Sequence, residues 1–238
     1  MEEIQDIMVV DATAVTQESA MQKRQYNAII LAGIAIAVFF HQLIGQYVLI
    51  KGISPVLRLL ISDMIMWASL PLLYLYAVKV EGRDFLLWKG KHRPIWFYIA
   101  GIVVLFILIG FASRIASIPR LLGFHDNYKI MNYWQAVIKN NKPMIFFTCL
   151  TAGFAEELQI RAYVLPRLYL LFKTPYLPVV VSALIFSLLH LGYGNLSECI
   201  FTFCFGIICA LFYKKFQNIQ ILVIFHFLFD LLAFGFFK

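Results

Sequence analysis

Apolar runs long enough to cross a hydrocarbon core as helices, about 20 residues each, recur along this chain. Seven can be delimited: 29–50, 56–78, 94–113, 143–172, 176–191, 196–212 and 219–237. That pattern predicts an all-α fold, a polytopic transmembrane helix bundle of about seven spans. Composition agrees. Of 238 residues, 62% are hydrophobic and 14% are charged, whereas a soluble domain lies nearer half and a quarter. A chain of this size still exposes a large surface, so much of that surface must meet lipid.

The breaks between runs carry their own chemistry. Lys51, Gly52 and Pro55 close the first run, and the charged stretch 79–93 closes the second. A longer polar connection covers 114–142, within which 133–138 reads as a short interfacial helix. Pro143 suits a helix start and Thr174-Pro175 a break. Residues 1–28 form a polar N-terminal segment, and 29–238 a single transmembrane domain without internal repeats. No apolar stretch starts near Met1, so the first span is expected to act as its own insertion signal.

The net charge of +7 belongs to membrane-surface loops. No loop interleaves basic and aromatic residues densely enough to point to nucleic acid. Lys23, Arg24, Lys79, Arg83, Lys89, Lys91, Arg93, Arg167, Lys173, Lys214 and Lys215 fall on one side of the predicted bundle. Lys51, Arg58, Arg114, Arg120, Lys129, Lys139, Lys142 and Lys238 fall on the other. The small excess on the first side predicts the N-terminus inside. Cys149, Cys199, Cys204 and Cys209 lie in apolar runs with no CxxC and read as small packing residues.

A charged side chain at the bilayer centre costs roughly 2.5–3.5 kcal/mol on insertion scales, so each one there must face protein or water. The fourth run carries Glu156, Glu157 and Arg161, the fifth His190, and the seventh His226 and Asp230. Three polar helices in an apolar bundle imply one shared pocket. Glu157 and Arg161 are i,i+4 and can pair. Glu156 is rotated away by about 100° and is the candidate general base. His226 and Asp230 are also i,i+4; together they can meet a substrate carbonyl or bind a metal. Phe186, one turn before His190, can wall the site. His41 and Asp63 read as packing or structural residues in the first and second runs, and His92 and His125 as loop residues.

In this order, Glu-Glu-x-x-x-Arg (Glu156, Glu157, Arg161), Phe-x-x-x-His (Phe186, His190) and His-x-x-x-Asp (His226, Asp230) resemble the CAAX protease and bacteriocin-processing family of intramembrane proteases, which includes the CaaX prenyl endopeptidase. The resemblance places the protease-like core at 143–237. It implies that Glu156 activates a water held by His190. It gives His226 and Asp230 the oxyanion side and makes Glu157 and Arg161 scaffolding. It also implies that no cofactor is required. Zinc held by Glu156, His190, His226 and Asp230 is the alternative, although the H-E-x-x-H pattern is absent.

The expected activity is therefore that of an intramembrane endopeptidase acting on a membrane-associated peptide or lipid-modified protein. Bacteriocin or pheromone peptide maturation and self-immunity are the roles the resemblance implies, in a bacterial plasma membrane. The competing classes are a proton-coupled transporter, which also buries Glu, His and Asp, and a non-catalytic scaffold or immunity protein.

Overall fold

The structure is a computed structural model that describes residues 2–47 and 52–235. The ends of the first and seventh predicted spans (48–50 and 236–237), together with Met1, Lys51 and Lys238, lie outside the described residues. The described chain is helical, with no strand among the described residues. In chain order it forms α1 (Glu2–Tyr47), α2 (Pro55–Tyr76), α3 (Ile95–Ala116), α4 (Ile118–Leu121), α5 (Lys129–Ile138), α6 (Lys142–Thr151), α7 (Leu165–Leu171), α8 (Leu177–Leu189), α9 (Leu196–Phe216) and α10 (Ile219–Ala233). A π-helical turn, Ala77–Glu81, extends α2. A π-helical segment, Ala152–Val164, joins α6 to α7 in one rod.

The helix starts are encoded locally. Ser54 accepts a hydrogen bond from Leu57 N ahead of α2, which has Pro55 in its first turn. Asn141, Asn195 and Asn218 do the same for α6, α9 and α10. Such side chains satisfy backbone N–H groups that a helix start leaves open. Pro178 opens α8, where a missing N–H costs nothing.

Four helices are long and apolar enough to cross a membrane: Met21–Gly45, Pro55–Glu81, Ile95–Leu121 and Leu196–Phe216. The protein is an integral membrane helix bundle. The first crossing helix begins ahead of position 29, inside the stretch that reads as polar in the sequence. The rod 142–171 has the length but carries four charges in its π-helical and α7 parts. α8 and α10 are apolar but short, at 13 and 15 residues, or about 20 and 22 Å at 1.5 Å per residue. The seven predicted helices are all present, but they differ in length.

α8 and α9 form a close hairpin, α10 lies along the π-helical segment, α3 covers α9, and α1 pairs with α2. At Gly206 of α9 a Cβ would come within 2.9 Å of Ala183 Cα, so the α8–α9 approach depends on its absence. The aromatic core runs through Phe186, Phe205 and Phe225; Phe205 stacks on both others, with centroids 5.9 and 5.8 Å away.

Arg167 is not one of the surface charges that the sequence assigns to the inner side. It is fully buried and holds Glu81 in a bidentate pair, with Nη2 2.6 Å from Oε2 and Nε 3.0 Å from Oε1. Tyr163 donates to the same carboxylate at 2.6 Å. Arg167 also donates to the carbonyls of Phe85 and Asp84. A buried charge is tolerable only when it is paired and hydrogen-bonded, and this one is both. It ties the α7 end of the rod to the α2–α3 loop.

Candidate active site

The segment that bears two glutamates and an arginine is wound as a π-helix over Ala152–Val164. Such winding is rare and is frequently found at functional sites. It widens each turn and spreads polar groups over more of the helix perimeter. At Gly153 a Cβ would lie 2.7 Å from Phe227 N, so this glycine lets α10 press its backbone onto the segment. That approach delivers His226 to Glu157.

Glu157 is the hub. Its Oε1 lies 3.0 Å from Arg161 Nη1 and 2.9 Å from His226 Nδ1, and Glu157 and Arg161 are both 0% exposed. A carboxylate only accepts, so His226 donates through Nδ1. The Arg161 contact is close but not aligned as a hydrogen bond, and its guanidinium nitrogens have no hydrogen-bond acceptor among the described residues. Instead the guanidinium lies over the Phe186 ring, 4.1 Å from the centroid, a cation–π contact strengthened by desolvation. Phe186 therefore supports Arg161 in addition to walling the site.

His226 faces two carboxylates. Beyond Glu157, its Nε2 lies 3.6 Å from Asp230 Oδ2, too far for a hydrogen bond but close for an ion pair. The orienting bond is therefore made by Glu157, not Asp230. His190 ends α8, and its Nδ1 is 2.8 Å from the Phe186 carbonyl. That oxygen only accepts, so Nδ1 carries the hydrogen and Nε2 bears the lone pair.

Glu156, His190, His226 and Asp230 line one cavity of about 440 Å³. Phe186, Phe201, Phe205 and Phe229 give it apolar walls, and Met131, Trp134 and Gln135 of α5 close one side. The interfacial helix read from 133–138 is α5, one turn longer at its start. The cavity is lined by the ends of α8 and α10, the start of α9, the late part of α1 and the first half of α2.

The comparisons with known proteins bear on this arrangement. A model of the Rce1-like family, described as type II CAAX prenyl endopeptidase Rce1-like, matches residues 139–232. The resemblance carried by the three motifs is borne out by this match, which is to a family of intramembrane proteases. No curated protein and no solved structure matches the chain. The Rce1-like segment supplies α6, the π-helical segment, α8, α9 and most of α10. The other walls of the cavity come from α1, α2 and α5, all of which lie ahead of it.

Among the described residues no three His, Cys, Asp or Glu side chains are grouped to hold a metal ion. His226 Nδ1 donates to Glu157, and His190 Nδ1 donates to the Phe186 carbonyl.

Three titratable residues in the cavity wall go beyond the sequence-derived set. Glu198 enters from the first turn of α9, where Asn195 caps its N–H. Asp63 accepts from Thr148 at 2.9 Å. His41 Nε2 lies 2.8 Å from Ser62 Oγ. The sequence signal for all three was a polar residue within or beside an apolar run. On the polar connection, Asp126 holds the start of α9 by accepting from Ser197 N at 3.2 Å, and it accepts from Tyr128 at 2.9 Å. Burial pushes its carboxyl up, but the bonds from Ser197 and Tyr128 and the Arg120 charge outweigh this and hold it below the usual carboxylate range.

Proposed function

We propose that this protein is an intramembrane endopeptidase that hydrolyses a peptide bond with water activated by Glu156. The observation that carries the reading is that Glu156, His190 and His226 line one cavity. A water between Glu156 and the lone pair on His190 Nε2 gives up a proton to Glu156 and attacks the scissile carbonyl. With Nδ1–H committed to Glu157, a second proton on Nε2 makes His226 an imidazolium that donates to the developing oxyanion. Asp230 and Glu157 balance that charge. Glu156 then returns its proton to the departing amine. Aligned donors of this kind act on charge that develops only in the transition state.

The family match supports a substrate in the membrane, either lipid-modified or otherwise membrane-associated. We take it to be a small peptide precursor, as in bacteriocin or pheromone maturation or self-immunity, in a bacterial plasma membrane. With the N-terminus inside, the helix ends that ring the cavity lie at the outer face.

The test uses full-length protein in nanodiscs and a panel of acyl-anchored fluorogenic peptides. Glu156→Gln and His190→Ala should each lower kcat/KM by about 10²-fold or more, as loss of a general base or of its water's holder does, with unchanged helicity and insertion. Cleavage at the normal rate by either variant refutes the assignment. A scaffold would keep its cellular phenotype in both variants, and a transporter would show substrate or proton flux in proteoliposomes.

A further inference from the structure

One side of the cavity holds acceptors that the hydrolytic reading leaves unused. Asp63, on α2, is only 8% exposed. It receives one neutral donor, the Thr148 hydroxyl at 2.9 Å, and has no ion-pair partner among the described residues. Gln42 of α1 also lines the cavity, next in the chain to His41, whose Nε2 lies 2.8 Å from Ser62 Oγ, the neighbour of Asp63. The Gln42 Oε1 is enclosed, and no described group donates to it. Among the described residues no lysine or arginine lines the cavity. A buried carboxylate without a cation and an amide oxygen without a donor are each costly. Both costs are relieved by the same visitor, a positively charged group rich in N–H donors.

We infer that Asp63 and Gln42 form a specificity subsite for a cationic group of the substrate, the ammonium or guanidinium of a lysine or arginine side chain or a free amino terminus. This rests on reading the cavity as a peptidase site. The subsite is built by α1 and α2, ahead of the Rce1-like segment, so substrate choice and hydrolytic chemistry come from different parts of the chain. Asp63 and Glu156 line the same cavity and lie within Coulombic range of each other, so a bound cation shares the cavity with the proposed base. Thr148 holds the carboxylate in place, and the apolar walls around Phe201, Phe205 and Phe229 keep the local dielectric low, which strengthens the pairing.

The test reads binding and cleavage separately. Fluorescein-labelled, acyl-anchored peptides are titrated by anisotropy onto the Glu156→Gln variant in nanodiscs. One carries an internal lysine with a blocked amino terminus. A second has a free amino terminus and no lysine, and a third has norleucine in place of lysine and is blocked. At least one cationic peptide should bind about ten-fold or more tightly than the norleucine peptide, as expected for a desolvated charge pair, and the arm that does so identifies the source of the cation. Adding Asp63→Asn should collapse that ratio toward one, and adding Asp63→Lys should reverse it toward a glutamate-bearing peptide. If the Asp63 variants do not insert, Gln42→Met carries the test with a smaller drop. Equal affinities for all three peptides, or a preference that survives Asp63→Asn, overturns the subsite. The same peptides offered to wild-type protein report on the protease reading independently: cleavage without charge preference removes only the subsite, and charge-selective binding without cleavage removes only the protease reading.

Discussion

Replacing Arg161 with methionine isolates the buried pair on which the site is built. Methionine fills much of the same volume and keeps the contact with Phe186, so packing changes little. What changes is charge. Glu157 keeps the His226 bond but loses the full cation 3.0 Å away, and it has no water to turn to at 0% exposure. Removing one partner of a buried pair costs about 3–5 kcal/mol, while replacing both with uncharged groups is often near neutral. Solvent screening does not reduce this figure, because both side chains are fully enclosed. At about 2–4 °C per kcal/mol for a chain of this size, Arg161→Met should melt roughly 6–20 °C below wild type. The double variant Glu157→Gln/Arg161→Met keeps an acceptor for His226 and removes the orphaned charge, so it should recover most of that loss. Thermal unfolding in one detergent, followed by tryptophan emission, provides all four corners of the cycle. If Arg161→Met costs under about 1 kcal/mol, or if the two substitutions are additive within about 0.5 kcal/mol, the pair is not the hub described here.

Gly153→Ala should destabilise by about 1–3 kcal/mol, as overpacking does, because its Cβ meets the Phe227 backbone. It should also lower cleavage by moving His226, so a variant with normal melting and normal rate counts against the α10 contact. Glu81→Gln leaves Arg167 buried with a neutral partner and should cost about 3 kcal/mol or more, read as increased proteolysis of the α2–α3 loop; unchanged proteolysis contradicts the anchor. Asp126 has a carboxyl held below its unfolded value, so its stabilising contribution is complete above the ordinary carboxylate range and is lost as pH falls through the folded value. Asp126→Asn should therefore flatten the acid limb of the melting profile between neutral pH and about pH 3. An acid limb identical to wild type removes that role.

The helices and much of the cavity's chemistry could be read from the sequence because lipid makes them conspicuous. Apolar length marks a span, and Glu156, His190 or His226 within one is expensive enough to need a reason. What escaped the sequence depends on partners far along the chain. Arg167 looks like a flanking surface charge until Glu81, 86 residues earlier, closes around it. His226 looks paired with Asp230 one turn on, whereas the aligned bond goes to Glu157, 69 residues back. Asn195 and Glu198 have the spacing of an ordinary capping box, so Glu198, although it lies in an apolar run, reads as a helix-start residue rather than a cavity one. The π winding of Ala152–Val164 has no periodic signature in the side chains. Asp63 read as a structural acid because its hydroxyl partner and its cavity both come from other helices.

The brevity of α8 and α10 has a consequence for the bilayer itself. These two helices deliver His190, His226 and Asp230, and each falls short of a ~30 Å hydrocarbon core by about 8–10 Å. Hydrophobic mismatch of that size is met by local thinning of the lipid around the short elements. Thinning beside the cavity would bring the headgroup layer, and its water, down toward Glu156. On the proposed peptidase mechanism, turnover should then fall as the acyl chains of the surrounding bilayer lengthen, which makes membrane thickness a control on the rate.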